Sequence, residues 1–286
     1  MAEVLDKKKI RKVFRDVQKH LAIAQLIRRF STNKEDIRKK ALNHANLSNC
    51  RNVLELGCAF GAFTEALKDK LHSDATINGI DIIPEYKPFF LEACRRAGYS
   101  GHFSSSGIDR IKKYPAESFD LVICSYALYF FHEMIPEIAR VLKNNGFFIT
   151  ITHSHKDMRE MVGIIKKILK QNNLLNDEQV LPIEIIFEQF SAENGKTLLH
   201  PYFLTIQEID FKNALVFQAQ EINHFLDYFQ FKKSFFLKGT GAHNKAIINQ
   251  LMLELEDTAM KNNFVTMCKY DKIFICSQPL TFKETP

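Results

Sequence analysis

The run Val53-Leu54-Glu55-Leu56-Gly57-Cys58-Ala59-Phe60-Gly61-Ala62-Phe63 constrains the fold more than any other stretch of the 286 residues. A short apolar strand runs into an acid, small residues allow a tight backbone turn, and a helix starts behind it. This leaves helix N–H groups and bare backbone at a strand end, where a ligand can approach. A dinucleotide fingerprint needs Gly at 57, 59 and 62, but 59 and 62 are Ala. A phosphate-binding P-loop ends in Gly-Lys-Ser/Thr, which is missing. What remains is acid-x-Gly-x-small-x-Gly.

From Arg51 onward strands and helices alternate. Short strands are expected at Asn52–Leu56, Thr76–Ile82, His102–Ser104, Phe119–Ser125 and Gly146–Thr152. Helices are expected at Gly61–Leu71, Glu85–Ala97 and Met134–Leu142. This rhythm predicts an α/β fold with a parallel sheet covered on both faces. Upstream, Ile10, Val13, Phe14, Val17, Leu21, Ala24 and Ile27 recur at helical spacing, predicting one amphipathic helix over 8–29. Ser31-Thr32-Asn33 stops it and offers caps for a second helix over 34–45. Downstream, a long helix is expected over 156–175, irregular apolar chain over 182–202, strands over 205–217 and a helix over 221–229. A helix reaching Met260 and strands over 264–276 close the chain. The expected domains are an N-terminal helical cap (1–45), a core (46–153), an inserted lid (154–230) and a C-terminal segment completing the core (231–286).

Composition narrows the classes further. Apolar residues make up 46% and charged residues 25%, which excludes wholesale disorder. No apolar run is long enough to cross a bilayer, and Met1–Arg15 lacks the apolar stretch of a secretion signal, so a cytoplasmic address is expected. The six cysteines form no CxxC pair, which argues against disulfide stapling and a structural metal. The net charge of +6 is concentrated: residues 1–40 hold 13 Lys or Arg against 5 Asp or Glu, whereas the rest of the chain is slightly acidic. A basic segment of this kind is either a solvated helix face or a reader of anionic partners.

Four segments in order, together with their spacing, resemble a class I S-adenosylmethionine-dependent methyltransferase over Asn52 to about His153. Glu55–Gly61 resembles the family's first motif, and Gly79-Ile80-Asp81-Ile82 its second. Ser118–Ser125 followed by Ala127-Leu128 resembles its fourth strand and loop, and Leu142–Phe147 the lead into its fifth strand. The resemblance implies a Rossmann-like, seven-stranded, mostly parallel sheet sandwiched by helices, with S-adenosylmethionine as cofactor. It implies binding by Glu55, Gly57, Cys58, Ala59 and Gly61 in the first loop. Asp81 would accept two ribose hydroxyls, or else cap a helix, and Ile82 would meet adenine or join the core. After the third strand many relatives carry an acid, whereas this chain reads Ser106-Gly107-Ile108-Asp109. Ser106, Gly107 and Ile108 are the expected adenine contacts, with Asp109 as the alternative acceptor. Cys124 and Ser125 close the site at the fourth strand.

Cys124-Ser125-Tyr126-Ala127 lacks the Asn/Asp-Pro-Pro-Tyr/Phe of amide- and adenine-methylating relatives, which argues against DNA and protein-glutamine acceptors. Ser125–His132 resembles small-molecule members instead. A small-molecule acceptor, apolar or aromatic and anionic, free or bound to a carrier protein, is therefore expected. The many Phe and Tyr residues between 187 and 231 are either walls of its pocket or core. The alternatives are an RNA methyltransferase gripping with its basic segment, and a non-catalytic cofactor-binding partner protein. No RNA-binding module supports the first. If a base or acceptor-positioning group is used, His132, His153 and Tyr126 are the candidates, and loop histidines such as these are also common surface residues. A hydroxyl or cation between Phe30 and Arg38 is the candidate partner for the cofactor's carboxylate. Oligomeric state is not legible.

Overall fold

A computed structural model describes residues 7–242 and 244–280. The strands are β1 (Asn52–Leu56), β2 (Thr76–Ile80), β3 (Ser100–Ser104), β4 (Phe119–Ser125), β5 (Leu142–His153), β6 (Phe203–Phe211), β7 (Ala214–Gln218), β8 (Phe264–Cys268) and β9 (Asp271–Pro279). The helices before β5 are α1 (Lys7–Phe14), α2 (Val17–Phe30), α3 (Ile37–Leu42), α4 (Ala62–Ala66), α5 (Lys87–Ala97) and α6 (Ile135–Val141). Those after it are α7 (Arg159–Gln171), α8 (Pro182–Gln189), α9 (Gly195–Leu199), α10 (Ile222–Leu237) and α11 (Asn244–Asn262). Among the described residues, no helix is long and apolar enough to cross a membrane.

The chain divides into two compact units. One comprises Glu35–Thr152, Gln189–Phe211 and the chain from Lys272; the other comprises the chain up to Lys34, His153–Glu188 and Lys212–Asp271. This differs from the domains read off the sequence. The segment 189–211 belongs with the sheet, because β6 lies in it beside β9. Conversely, residues 231–271 do not complete the sheet unit, because β8 pairs with β7.

The sheet unit carries the expected seven-stranded, mostly parallel sheet, in the order β3-β2-β1-β4-β5-β9-β6. β1 lies parallel between β2 and β4, β3 continues parallel from β2, and β5 from β4. Val53, Leu54, Leu56 and Leu121–Cys124 are buried, as strands covered on both faces must be. Phe63 of α4 and Phe90 of α5 join Leu121, Ile123, Ile149 and Ile273 in one apolar cluster. The chain steps outward from β1 through β2 to β3, then returns to β4 on β1's other side. The strand order therefore reverses beside β1, and the loops after β1 and β4 meet at the carboxyl edge, the switch point where open α/β sheets bind ligands.

The other unit contains the antiparallel β7–β8 pair with α1, α2, α7, α10 and α11. The single helix expected over 8–29 is broken, because the Asp16 side chain accepts the Lys19 amide at 3.0 Å and starts α2 afresh. The stretch 182–202, expected to be irregular, forms α8 and α9. α10 is aromatic-rich: Phe225, Tyr228, Phe229 and Phe236 are fully buried. Phe225 packs edge-on against Phe217 at 5.7 Å, and Phe217 lies 4.6 Å from Phe30. Phe187, Phe190, Phe203 and Phe211 are buried as well. Most of the aromatic residues between 187 and 231 are thus buried, since large apolar rings gain most by complete burial, whereas Tyr202 is half-buried.

Candidate functional site

The loop after β1 is pinned before it can carry a ligand. The amides of Gly57 and Cys58 both donate to the Ile80 carbonyl, at 2.8 and 3.3 Å, and Gly61 donates to the Cys58 carbonyl at 2.9 Å. This winding puts three alternate residues in left-handed backbone: Gly57 (φ 67°), Ala59 (φ 43°) and Gly61 (φ 80°). Gly tolerates that conformation freely, whereas Ala59 is strained there. A Cβ at Gly57 would stand 2.7 Å from the Ala127 Cβ, and one at Gly61 would stand 2.5 Å from the Ala93 Cβ. Both glycines are therefore required by packing against neighbouring protein, not only by access to a ligand. Gly57 in particular lets the loops after β1 and β4 touch at the switch point.

Asp81, one residue beyond β2, has one carboxylate oxygen 3.0 Å from the Ala59 amide and the other 2.9 Å from the Ile83 amide. The carboxylate has four acceptor positions, and those the amides leave open suit hydroxyl donors. Burial pushes its pKa up to about 6, against the lowering effect of the Ile83, Ala59 and Ile82 amides. Ile82 is half-buried beside it.

Glu55 sits deeper. It is 3% exposed, its carboxylate takes the hydroxyl of Thr64 in α4, and burial raises its pKa to about 7. The nearby Arg38 guanidinium of α3, paired with Asp36 at 3.4 Å, works the other way on Glu55. Arg38 thus places a cation within electrostatic range of the loop. The sequence suggested it only as one of several polar residues between 30 and 38, and Thr64 was not singled out at all. The signal for Thr64 was its position on the helix that follows the loop.

At the third strand, the Ser106 and Ser104 hydroxyls lie 2.7 Å apart, and Gly107 caps the short helical turn beginning at the buried Ile108. Asp109 is exposed and 3.8 Å from Lys112. At the fourth, Cys124 is fully buried, Ser125 ends β4, and Tyr126 adopts a left-handed backbone (φ 56°), with its amide donating to the Ile151 carbonyl at 2.8 Å. Left-handed backbone at a bulky residue is strained and recurs at functional sites. His132 is partly exposed, 4.0 Å from Glu133.

All these residues belong to the sheet unit; His153 does not. It is buried, its Nδ1 lies 2.7 Å from Asp271 and 3.4 Å from Asp157, and Lys269 bonds both Asp157 oxygens at 2.9–3.0 Å. Burial holds the His153 pKa well below its usual value, Asp157 opposing this and Lys269 reinforcing it. Burial also works to lower Lys269, but Asp157 outweighs it and holds the ammonium above its ordinary range. The ligating atoms of His153, Asp157 and Asp271 lie within 4.8 Å of one another, a metal-like grouping that sequence spacing did not reveal. Lys269 already supplies a cation there, so the cluster reads as a buried polar tie. His153, weighed as a base from sequence, is enclosed by it.

Residues 54–150 match the family model of a methyltransferase domain. An uncharacterized methyltransferase of Schizosaccharomyces pombe, C70.08c, is 27% identical over 139 residues, 46% of this chain and 51% of that protein. YcgJ of Bacillus subtilis, likewise an uncharacterized methyltransferase, is 26% identical over 116 residues, 37% of this chain and 43% of its own. The chain thus spans about half the length of the curated relatives it matches. The crystal structure of YcgJ superposes with a TM-score of 0.51 at 18% identity, covering 84% of this chain and 97% of that one. BH2331 of Bacillus halodurans C-125 gives 0.56 at 11% identity, covering 85% and 99%. Those two likenesses show the fold, a Rossmann-like sheet flanked by helices. The family match makes residues 54–150 similar to a methyltransferase domain.

Proposed function

We propose that the chain binds S-adenosylmethionine at the switch point and transfers its methyl group to a small-molecule acceptor. The observation that carries this reading is Asp81. Its carboxylate is oriented by backbone amides, retains acceptor capacity, and stands beside a loop that holds Gly57, Ala59 and Gly61 in left-handed backbone. That arrangement fits vicinal ribose hydroxyls and an extended methionine chain. Ser106, Gly107 and Ile108 border the same edge as candidates for the base, and Arg38 is the cation available to a carboxylate.

When bound, the cofactor supplies a methyl group already activated on a sulfonium. The protein's own work is then alignment and exclusion of water. Glu55 and Thr64 fix the floor of the loop, and the strained Tyr126 directs the chain leaving β4. Tyr126 and the partly exposed His132 are the polar groups of this edge proposed to position an acceptor or take its proton. The β4 loop sequence Cys124-Ser125-Tyr126-Ala127 supports a small-molecule acceptor over an amide or nucleobase.

Calorimetric titration with S-adenosylhomocysteine tests the donor half. Micromolar binding that Asp81→Ala weakens in a folded protein supports the assignment, and unchanged affinity in that variant removes it. Incubating the protein with a metabolite extract and isotopically methyl-labelled cofactor, read by mass spectrometry, tests the acceptor half. A labelled small molecule supports it; label confined to added RNA overturns it.

A further inference from the structure

Tyr228, in the middle of α10, has a hydroxyl that the fold buries without giving it a hydrogen-bond partner among the described residues. We propose that this hydroxyl and the Lys232 ammonium, one helical turn on, form a binding site for the carboxylate of a small organic acid. The site lies wholly in the unit that contains β7 and β8, and the proposal does not rest on the methyl-transfer reading.

An orphaned buried hydroxyl is a standing cost to a fold and calls for a reason. Tyr228 is fully buried, so solvent does not satisfy it. Lys232 is held over its ring, the ammonium 5.3 Å from the centroid, since residues four apart share a helix face. That ammonium is half-buried and enters no ion pair among the described residues. The acids of the neighbouring buried cluster are engaged elsewhere. Asp157 gives both oxygens to Lys269 at 2.9–3.0 Å, and Asp271 lies 2.7 Å from the His153 Nδ1. Burial, reinforced by the Lys232 charge, lowers the His20 pKa to about 4. Burial also holds His153 low, with Asp157 opposing it and Lys269 and Lys232 reinforcing it. Both imidazoles are therefore neutral at pH 7, and Lys232 keeps a charge with no counter-ion among these groups.

The chemistry of the pair selects the ligand. A hydroxyl and an ammonium on one helix face are two donors, and the two oxygens of a carboxylate take one each. Lys269, within electrostatic range of Tyr228, keeps a third N–H beyond its two bonds to Asp157. A neutral alcohol would satisfy Tyr228 and leave the Lys232 charge uncompensated. A phosphate dianion would bring a second charge toward Asp157 and Asp271, which repel it. A monocarboxylate supplies one charge for one open ammonium. Lys232, the half-buried member, is the group that an anion arriving from solvent meets first.

The test uses the full chain and benzoate, whose ring suits an aromatic-rich helix, read by ligand-observed NMR. The wild-type protein is expected to bind benzoate about tenfold or more tightly than benzyl alcohol, and inorganic phosphate should compete poorly. Tyr228→Phe and Lys232→Met should each weaken benzoate binding by about tenfold or more. Lys233→Met, the same charge change about 100° further round α10, should leave it unchanged. Tyr228→Phe removes an unsatisfied group, so the ligand-free variant should melt no lower than wild type. Lys232→Met changes a half-buried residue and decides the matter even if Tyr228→Phe folds poorly. Benzoate binding that survives in either variant overturns the proposal, and a Tyr228→Phe protein that melts lower yet still binds benzoate assigns the hydroxyl to the fold alone. Equal loss in Lys233→Met would mean that only net charge matters, which also overturns it. So would benzyl alcohol binding as tightly as benzoate, or phosphate displacing benzoate at equal concentration.

Discussion

The Asp81 carboxylate accepts the amide of Ala59 at 3.0 Å, joining the end of β2 to the strained middle of the loop after β1. One side chain thereby shapes the loop and keeps acceptor capacity toward the open edge of the sheet. Asp81→Ala should weaken S-adenosylhomocysteine binding by about 1–3 kcal/mol through lost charge-assisted hydrogen bonds. It also strands two amides, so a lower midpoint of chemical unfolding is expected alongside. Asp81→Asn, which still accepts one of them, should recover part of the stability but little of the binding.

Glu55 predicts a stability profile with a definite sign. Its folded pKa of about 7 lies above the ordinary 4.5, so the fold favours the protonated acid and the unfolded chain releases the proton first. The stability it contributes is complete below about pH 4.5 and is lost as pH rises through 7, by about 3 kcal/mol over that window. Denaturant unfolding of wild type and Glu55→Gln at successive pH values should show a steeper fall in the former, the slope left in the latter coming in part from Asp81.

The two left-handed positions flanking Cys58 should respond oppositely. Gly57→Val puts a branched side chain at positive φ and against Ala127, so it should lower stability by several kcal/mol and not merely block a ligand. Ala59→Gly removes a left-handed penalty of about 1–2 kcal/mol at an entropic cost of about 0.5–1. A net gain of about 0.5 kcal/mol is expected, visible as a small rise in melting temperature.

Lys269 and Asp157 form a fully buried pair, so removing one partner leaves the other charged and desolvated. Lys269→Met should cost about 3–5 kcal/mol, and Lys269→Met with Asp157→Leu should recover much of it, because the pair as a whole gains little over apolar packing. Equilibrium unfolding of the two single variants and the double one measures the coupling.

Much of the sheet unit was legible because its signals are local. Val53–Phe63 encodes strand, turn and helix start within a dozen residues, and Asp81 follows its own strand directly, so the local pattern marked the loop and its acid while the family resemblance supplied their expected roles. The four parallel pairings around β1 follow from the same alternation. Periodicity found the helical pattern of 8–29 but not its break at Asp16, and past the break the buried residues are Val17, Ile23, Leu26 and Phe30 while the expected Leu21, Ala24 and Ile27 are half-buried.

Tertiary structure alone decided the rest, and each case turns on partners distant in sequence. The sequence could count Phe and Tyr between 187 and 231, but only packing shows that Phe217 and Phe225 are buried against each other and Phe229 against Phe236. It placed His153 at a strand end, but its pairing with Asp271 spans 118 residues and that of Lys269 with Asp157 spans 112. It showed Gly57 to be small without showing that Ala127, seventy residues on, is what leaves no room for a Cβ. Local backbone preference is written along the chain and can be read there. Burial, ion pairing and steric exclusion belong to pairs of residues that only the folded chain brings within reach.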